Sequence, residues 1–94
     1  MLEKIKLALR YSNNLFDDEV NGLIAACKND LERVGVSLEK LYDDEAVDPA
    51  ILNAVICFCK WQLNFQRDGE RWGKLYREIR QDIALDGDYK CQRQ

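Results

Sequence analysis

From Asp48 onward the order of apolar and polar positions marks out two helices. Ile51, Leu52, Val55, Ile56, Phe58, Cys59 and Leu63 cover most of a helix circumference, a pattern suited to a helix in the middle of a bundle. Its start is signalled three times. Asp48 can accept from the free N–H groups of a first turn. Pro49 loses nothing at the first helical position by lacking an N–H. Val47 and Leu52 occupy the two positions of a hydrophobic staple across that cap. Asp68-Gly69 then breaks the pattern with turn chemistry. Beyond it Trp72, Leu75, Tyr76, Ile79 and Ile83 follow at spacings of three and four, one face of a second helix. The opposite face, Glu70, Arg71, Lys74, Arg77, Glu78 and Gln81, is solvated. Glu70–Lys74 and Lys74–Glu78 are spaced there as i,i+4 pairs of about 0.2–0.5 kcal/mol each. Leu85-Asp86-Gly87-Asp88 closes this helix, with Gly87 free to take a positive φ.

The first half follows the same logic with shorter stripes. Leu2, Ile5 and Leu9 predict a helix ending near Ser12-Asn13-Asn14. Asp17-Asp18-Glu19 suits the positive end of a helix dipole, and Val20, Leu23, Ile24, Cys27, Leu31 and Val34 continue with helical period until Gly35, a natural stop. Ala25 and Ala26 would permit close helix approach, while Gly22 weakens the helix by about 1 kcal/mol relative to Ala. The expected fold is all-α: a small four-helix bundle with helices over about 2–11, 17–34, 49–66 and 70–85, a longer loop between the second and third, and a tail over 86–94. Ile24, Leu31, Val55, Ile56, Cys59, Leu75 and Ile79 stand at the centres of the apolar faces. The connection 36–47 admits one helical turn at 37–42, and it and the tail lack a periodic apolar face, so both should be the least ordered parts of an isolated subunit.

Composition narrows the function by exclusion. The chain has 94 residues and a net charge of −3. One domain of this size hides roughly 60–65% of its unfolded surface, and a broad basic face for gripping nucleic acid is not expected. No apolar run is long enough to span a bilayer, and the N-terminus lacks the pattern of a signal peptide, so a cytoplasmic protein without membrane contact is expected. Histidine is absent, which removes the commonest general base. The acids sit on solvated stretches, where their pKa values give no catalytic leverage. Glycines are scattered singly and form no phosphate loop. Cys57 and Cys59 point about 200° apart on one helix and cannot share an ion. Cys27 and Cys59 read as small buried hydrophobes, all four cysteines as thiols, and Cys91 as an exposed, incidental one. Neither catalytic residues, cofactor nor metal are expected.

Among the aromatics, Phe58, Trp72 and Tyr76 fit a core edge. Trp61 and Phe65, four apart beside Lys60, Gln62 and Asn64, leave one ring partly exposed as an anchor for a partner protein.

The order DDEVNGLIAACKNDLERVGV, a loop, DPAILNAVICFCKW and DGERWGKLYREIRQDIALDGDY resembles the small head–tail connector proteins of long-tailed bacteriophages and prophages, often described as DNA packaging or adaptor proteins. The likeness spans nearly the whole chain. It departs from the family in lacking the glycine that often follows the aromatic near the end of the third helix, where Leu63-Asn64-Phe65-Gln66 stands instead. The resemblance implies a structural virion-assembly protein that self-associates into a ring between the portal protein and the head-closure protein, with genome DNA only as passing cargo. It implies a place in the host cytoplasm during assembly and then in the virion neck. Candidate assembly contacts are Trp61 and Phe65, the acidic run Asp43, Asp44 and Glu45, and Asp88 and Tyr89 in the tail. The alternatives are a cytoplasmic regulatory adaptor that binds one partner through the Trp61/Phe65 edge, and a nucleic-acid-binding helical module.

The cap gives a first test. Asp48→Ala should cost about 1 kcal/mol without altering the fold, read as a lowered thermal melt. An unchanged melt would mean that the helix begins earlier, within residues 43–45.

Overall fold

The computed structural model describes residues 1–43 and 46–89, the side chain of Asp88 excepted. Its helices are α1 (Leu2–Leu9), α2 (Asp17–Arg33), α3 (Leu38–Leu41), α4 (Pro49–Gln62) and α5 (Gly69–Leu85), with 3-10 turns at Phe65–Arg67 and Gly87–Tyr89. The fold is an all-α bundle, as the periodicity predicts. α4 is its axis, packing against α1, α2 and α5, with the α4–α5 interface the largest.

α4 begins where the cap signals place it. Asp48 Oδ1 accepts from the N–H groups of Ala50 at 2.9 Å and Ile51 at 3.2 Å. It ends at Gln62, short of the expected residue 66, because Asn64 turns left-handed at φ 49° and ψ 50°. Asn is the residue other than glycine that best tolerates this region, and here it makes the turn. Its side chain also caps α5 from outside, Oδ1 accepting from Gly69 N–H at 2.9 Å. Asp68, expected as part of a simple turn, contributes no side-chain cap. α1 stops at Leu9 rather than 11, since Arg10 is left-handed and Tyr11 N–H returns to Lys6 O at 2.9 Å, the closing bond of a Schellman turn. Gly35, with φ of 98°, ends α2 in the same manner. Gly87 does not take the positive φ expected of it; α5 leaves through an extended Asp86.

The core contains Ile24, Leu31, Val55 and Cys59 as expected, joined by Ile5, Val20, Cys27, Ile51, Tyr76 and Ile83. Ile56, Leu75 and Ile79 lie at its margin. For Leu75 and Ile79 the reason is the rotation of α5, which turns Gly69, Gly73, Tyr76 and Ile83 inward. Ala25 and Ala26, expected at a close helix contact, are exposed. Lys6 is a buried cation invisible to the periodic pattern, its Nζ 2.9 Å from both Asn14 Oδ1 and Asp17 Oδ1, so that it ties α1 to the start of α2. The connection after α2 also contributes to the core through Val36 and Leu41, despite its lack of period. Its helical turn is α3, capped by Ser37 Oγ, which accepts from Lys40 N–H at 3.3 Å.

Cys27, Cys57 and Cys59 are free and buried. Burial pushes the thiols of Cys27 and Cys59 from 9.0 up to about 12 and raises that of Cys57 as well. For Tyr76, burial and then the bond to Asp30 raise the phenol. A folded-state value above the unfolded one means that the folded chain holds the proton more tightly. The associated stability is therefore whole below pH 9 and is lost as pH rises towards 12. Urea unfolding at increasing pH should show stability falling above pH 9, by about 1.4 kcal/mol per pH unit for each buried thiol. Replacing Cys27 and Cys59 together by Ala should flatten that slope.

Candidate assembly surfaces

Two regions gather the exposed and polar features that the core leaves over. The first surrounds Trp61 near the end of α4. Its indole lies across α5 at Gly73, where an added Cβ would come 2.8 Å from Trp61 Nε1 and 2.9 Å from ring carbons. Only a residue without a side chain admits this crossing. Phe58 meets the indole edge-on with centroids 5.8 Å apart, Tyr76 tilts against it at 6.1 Å, and the Arg77 guanidinium stands 5.4 Å from its centroid. Trp61 stays half-buried, with a shallow groove on either side. One groove runs past Ala26, Asn29, Arg33 and Phe58; the other is lined by Glu70, Arg71, Lys74 and Arg77.

Phe65 is also half-buried, but it does not share a helical face with Trp61. The left-handed Asn64 moves it into the 3-10 turn, where it packs edge-on to Trp72 at 6.5 Å. The Lys60 ammonium lies 4.8 Å from the Phe65 ring centroid and 4.3 Å from that of Trp72, a cation–π contact with each ring. The single Trp61/Phe65 edge expected from their spacing is thus two separate aromatic clusters.

Beneath Trp61 the bundle is tied by a polar crossing. Tyr76 Oη donates to Asp30 Oδ2 at 2.6 Å, joining α5 to α2. Arg80 Nε is 2.9 Å from the same oxygen, an ion-pair distance, although its N–H is not directed at it. The ion pairs on the outer face of α5 are not the expected Glu70–Lys74 and Lys74–Glu78; Arg71 instead reaches back to Asp68 at 3.6 Å.

The second region joins the connection before α4 to the segment after α5. Tyr89 Oη donates to the Asp48 carboxylate, 3.0 Å from each oxygen. Ser37 N–H donates to Tyr89 O at 2.8 Å, and Lys40 Nζ lies 5.8 Å from the Tyr89 ring centroid. The carboxylate that caps α4 therefore also anchors the segment after α5. Asp43 is exposed and accepts from Ala46 N–H at 3.0 Å, a local turn. Asp44, Glu45 and Cys91 lie outside the described residues, as does the side chain of Asp88.

Among the described residues no group of three or more His, Cys, Asp or Glu side chains is placed to hold a metal ion, and no helix is long and apolar enough to cross a membrane. The described surface offers aromatic ledges and charged grooves, with Tyr89 tied to Asp48. Residues 1–90 match the family model of the phage connector proteins. The chain belongs to that family, the phage head–tail connectors. Comparison with curated proteins and with solved structures gives no match.

The Trp61 crossing is testable by a double-mutant cycle. Gly73→Ala alone should destabilise by about 1–2 kcal/mol, the overpacking cost reduced by the better helix propensity of Ala. In a Trp61→Ala background the same change should stabilise by about 1 kcal/mol, since only the propensity gain remains. Chemical denaturation of the four proteins reads the sign reversal directly.

Proposed function

We propose that this chain is a neck subunit of a tailed phage or prophage, assembling with further copies of itself into a ring. The ring sits between the portal protein and the head-closure protein, and genome DNA passes through its centre. Its part in the virion is structural rather than catalytic. The observation that carries this reading is the match to the phage connector family over residues 1–90. Two physical features support it. A net charge of −3 suits a conduit, because extensive phosphate neutralisation would hold DNA in place. The half-buried Trp61 and the anchored Tyr89 provide different surfaces on one small subunit, as ring closure by heterologous contacts requires. Trp61, Phe65 and Tyr89 are the contacts we assign to assembly, with the acidic run Asp43, Asp44 and Glu45, and Asp88.

The experiment is electron microscopy of lysates from a phage whose gene for this protein is disrupted. DNA-filled heads without tails, beside free and complete tails, are the expected result, and the intact gene supplied in trans should restore joined particles. A gene encoding residues 1–87 should fail to restore them, because Tyr89 and its contacts are missing. Abundant tailed, infectious particles in the absence of the protein would overturn the reading.

A further inference from the structure

The surface carries two patches of opposite character that cannot meet within one chain. In the connection between α1 and α2, Leu15 is 77% and Phe16 44% exposed, the Phe16 ring tilted against Tyr11 with centroids 5.5 Å apart. These are large apolar side chains left in water on a small domain. Directly after them Asp18 and Glu19 are exposed, and neither is paired among the described residues; their neighbour Asp17 is already held by Lys6. The connection is thus an apolar knob with an acidic flank.

The other patch is the Trp61 surface. Lys74 and Arg77 line one groove beside the indole, with Arg71 and Glu70 next to them. Arg33 lines the groove on the other side. Arg33, Lys74 and Arg77 are exposed and lack an ion-pair partner among the described residues. Here a polarisable ring stands between unneutralised cations. The distance from Asp18 to Asp30, whose side chain lines the groove with Arg33, is about 18 Å along α2 at 1.5 Å per residue. One subunit's knob therefore cannot fill its own groove.

We propose that these patches are the two halves of one subunit–subunit contact: Leu15 and Phe16 of one copy seat beside Trp61 of the next, and Asp18 and Glu19 face its Lys74 and Arg77. This rests on the ring reading above and names the surfaces that would close the ring. The argument is complementarity. The knob offers apolar surface and negative charge, and the groove offers an aromatic ring and positive charge. A contact between unlike patches leaves one of each free on every pair of subunits, so addition continues until the ring closes. A DNA backbone would satisfy the cations but has no use for the exposed Leu15 and Phe16, and a second copy satisfies both.

The test is a charge swap on the full chain, with thermal melts to confirm that every variant is folded. Self-association is followed by sedimentation up to millimolar concentration and at two salt concentrations. Asp18→Lys with Glu19→Lys, or Lys74→Glu with Arg77→Glu, should each weaken it on the order of 100-fold by setting like charges face to face. Mixing these two folded variants, or combining all four substitutions in one chain, should restore it. Carbodiimide, which joins a carboxylate to an amine in contact, should link Asp18 or Glu19 of one copy to Lys74 of an isotope-labelled other. Association unaffected by the reversals, no recovery on mixing, or folded wild-type protein that remains monomeric throughout would overturn the proposal. So would retention of a DNA duplex that depends on Lys74 and Arg77 without self-association. Loss of this contact with tail joining still dependent on the gene would refute the interface while leaving the connector role in place. Tail joining that proceeds without the gene would refute the role itself.

Discussion

Enclosure of α4 on three sides is the constraint from which the rest of the molecule follows. A helix that touches α1, α2 and α5 has little of its surface left for water, so its residues must be apolar or small around most of the circumference. Ile51, Ala54, Val55, Cys57 and Cys59 meet that demand. The small members, Ala54 and the two cysteines, limit the space each neighbour must leave. This explains cysteines that serve neither a disulfide nor a metal: a thiol is a compact apolar filler, and burial holds its proton in place. The other helices need only one apolar face each, which is why their sequences are far more polar than that of α4.

Apolar packing alone leaves helices free to slide or rotate, and here polar groups restrict that freedom. Three carboxylates each join elements distant in the chain. Asp17 holds Lys6 of α1, Asp30 receives Tyr76 and stands beside Arg80 of α5, and Asp48 receives Tyr89 from beyond α5. None is deeply buried, so screening keeps each contact modest. Their importance is geometric. A shifted register would strand a partly buried donor or acceptor, which costs about 1–3 kcal/mol. Gly73 adds a steric version of the same device, fixing where α5 passes under the Trp61 indole.

How much of this is legible in the sequence depends on whether the signal is local. The Asp48-Pro49 start of α4, the Gly35 stop and the apolar periods are read within a few residues, and the structure agrees with them. The end of α4 is less legible, because a left-handed Asn64 is rarer than a glycine and its effect resides in one backbone angle. The inward turn of Tyr76 in place of Leu75 and Ile79 depends on the close approach of Gly69 and Gly73 to α4, a contact between helices that periodicity within one helix does not encode. Lys6 and Tyr89 are hidden for the same reason: each is polar or isolated in its own segment and finds its partner elsewhere. The separation of Trp61 from Phe65 follows from Asn64. The likeness to the connector family is carried by the order of segments, which survives such local errors, whereas individual surface contacts have no periodic signature at all.

The anchoring of Tyr89 has a mechanical consequence. Its phenol holds the first turn of α4 through Asp48, and its carbonyl holds the backbone at Ser37. Tension applied to the chain beyond residue 89 would therefore reach the start of the central helix through a hydrogen bond, as well as the end of α5 through the covalent chain. The pull is divided between two points at the same end of the α4–α5 pair, so both helices take it up together instead of α5 being peeled away from α4. A subunit wired in this way can be held by its tail without first losing its last helix.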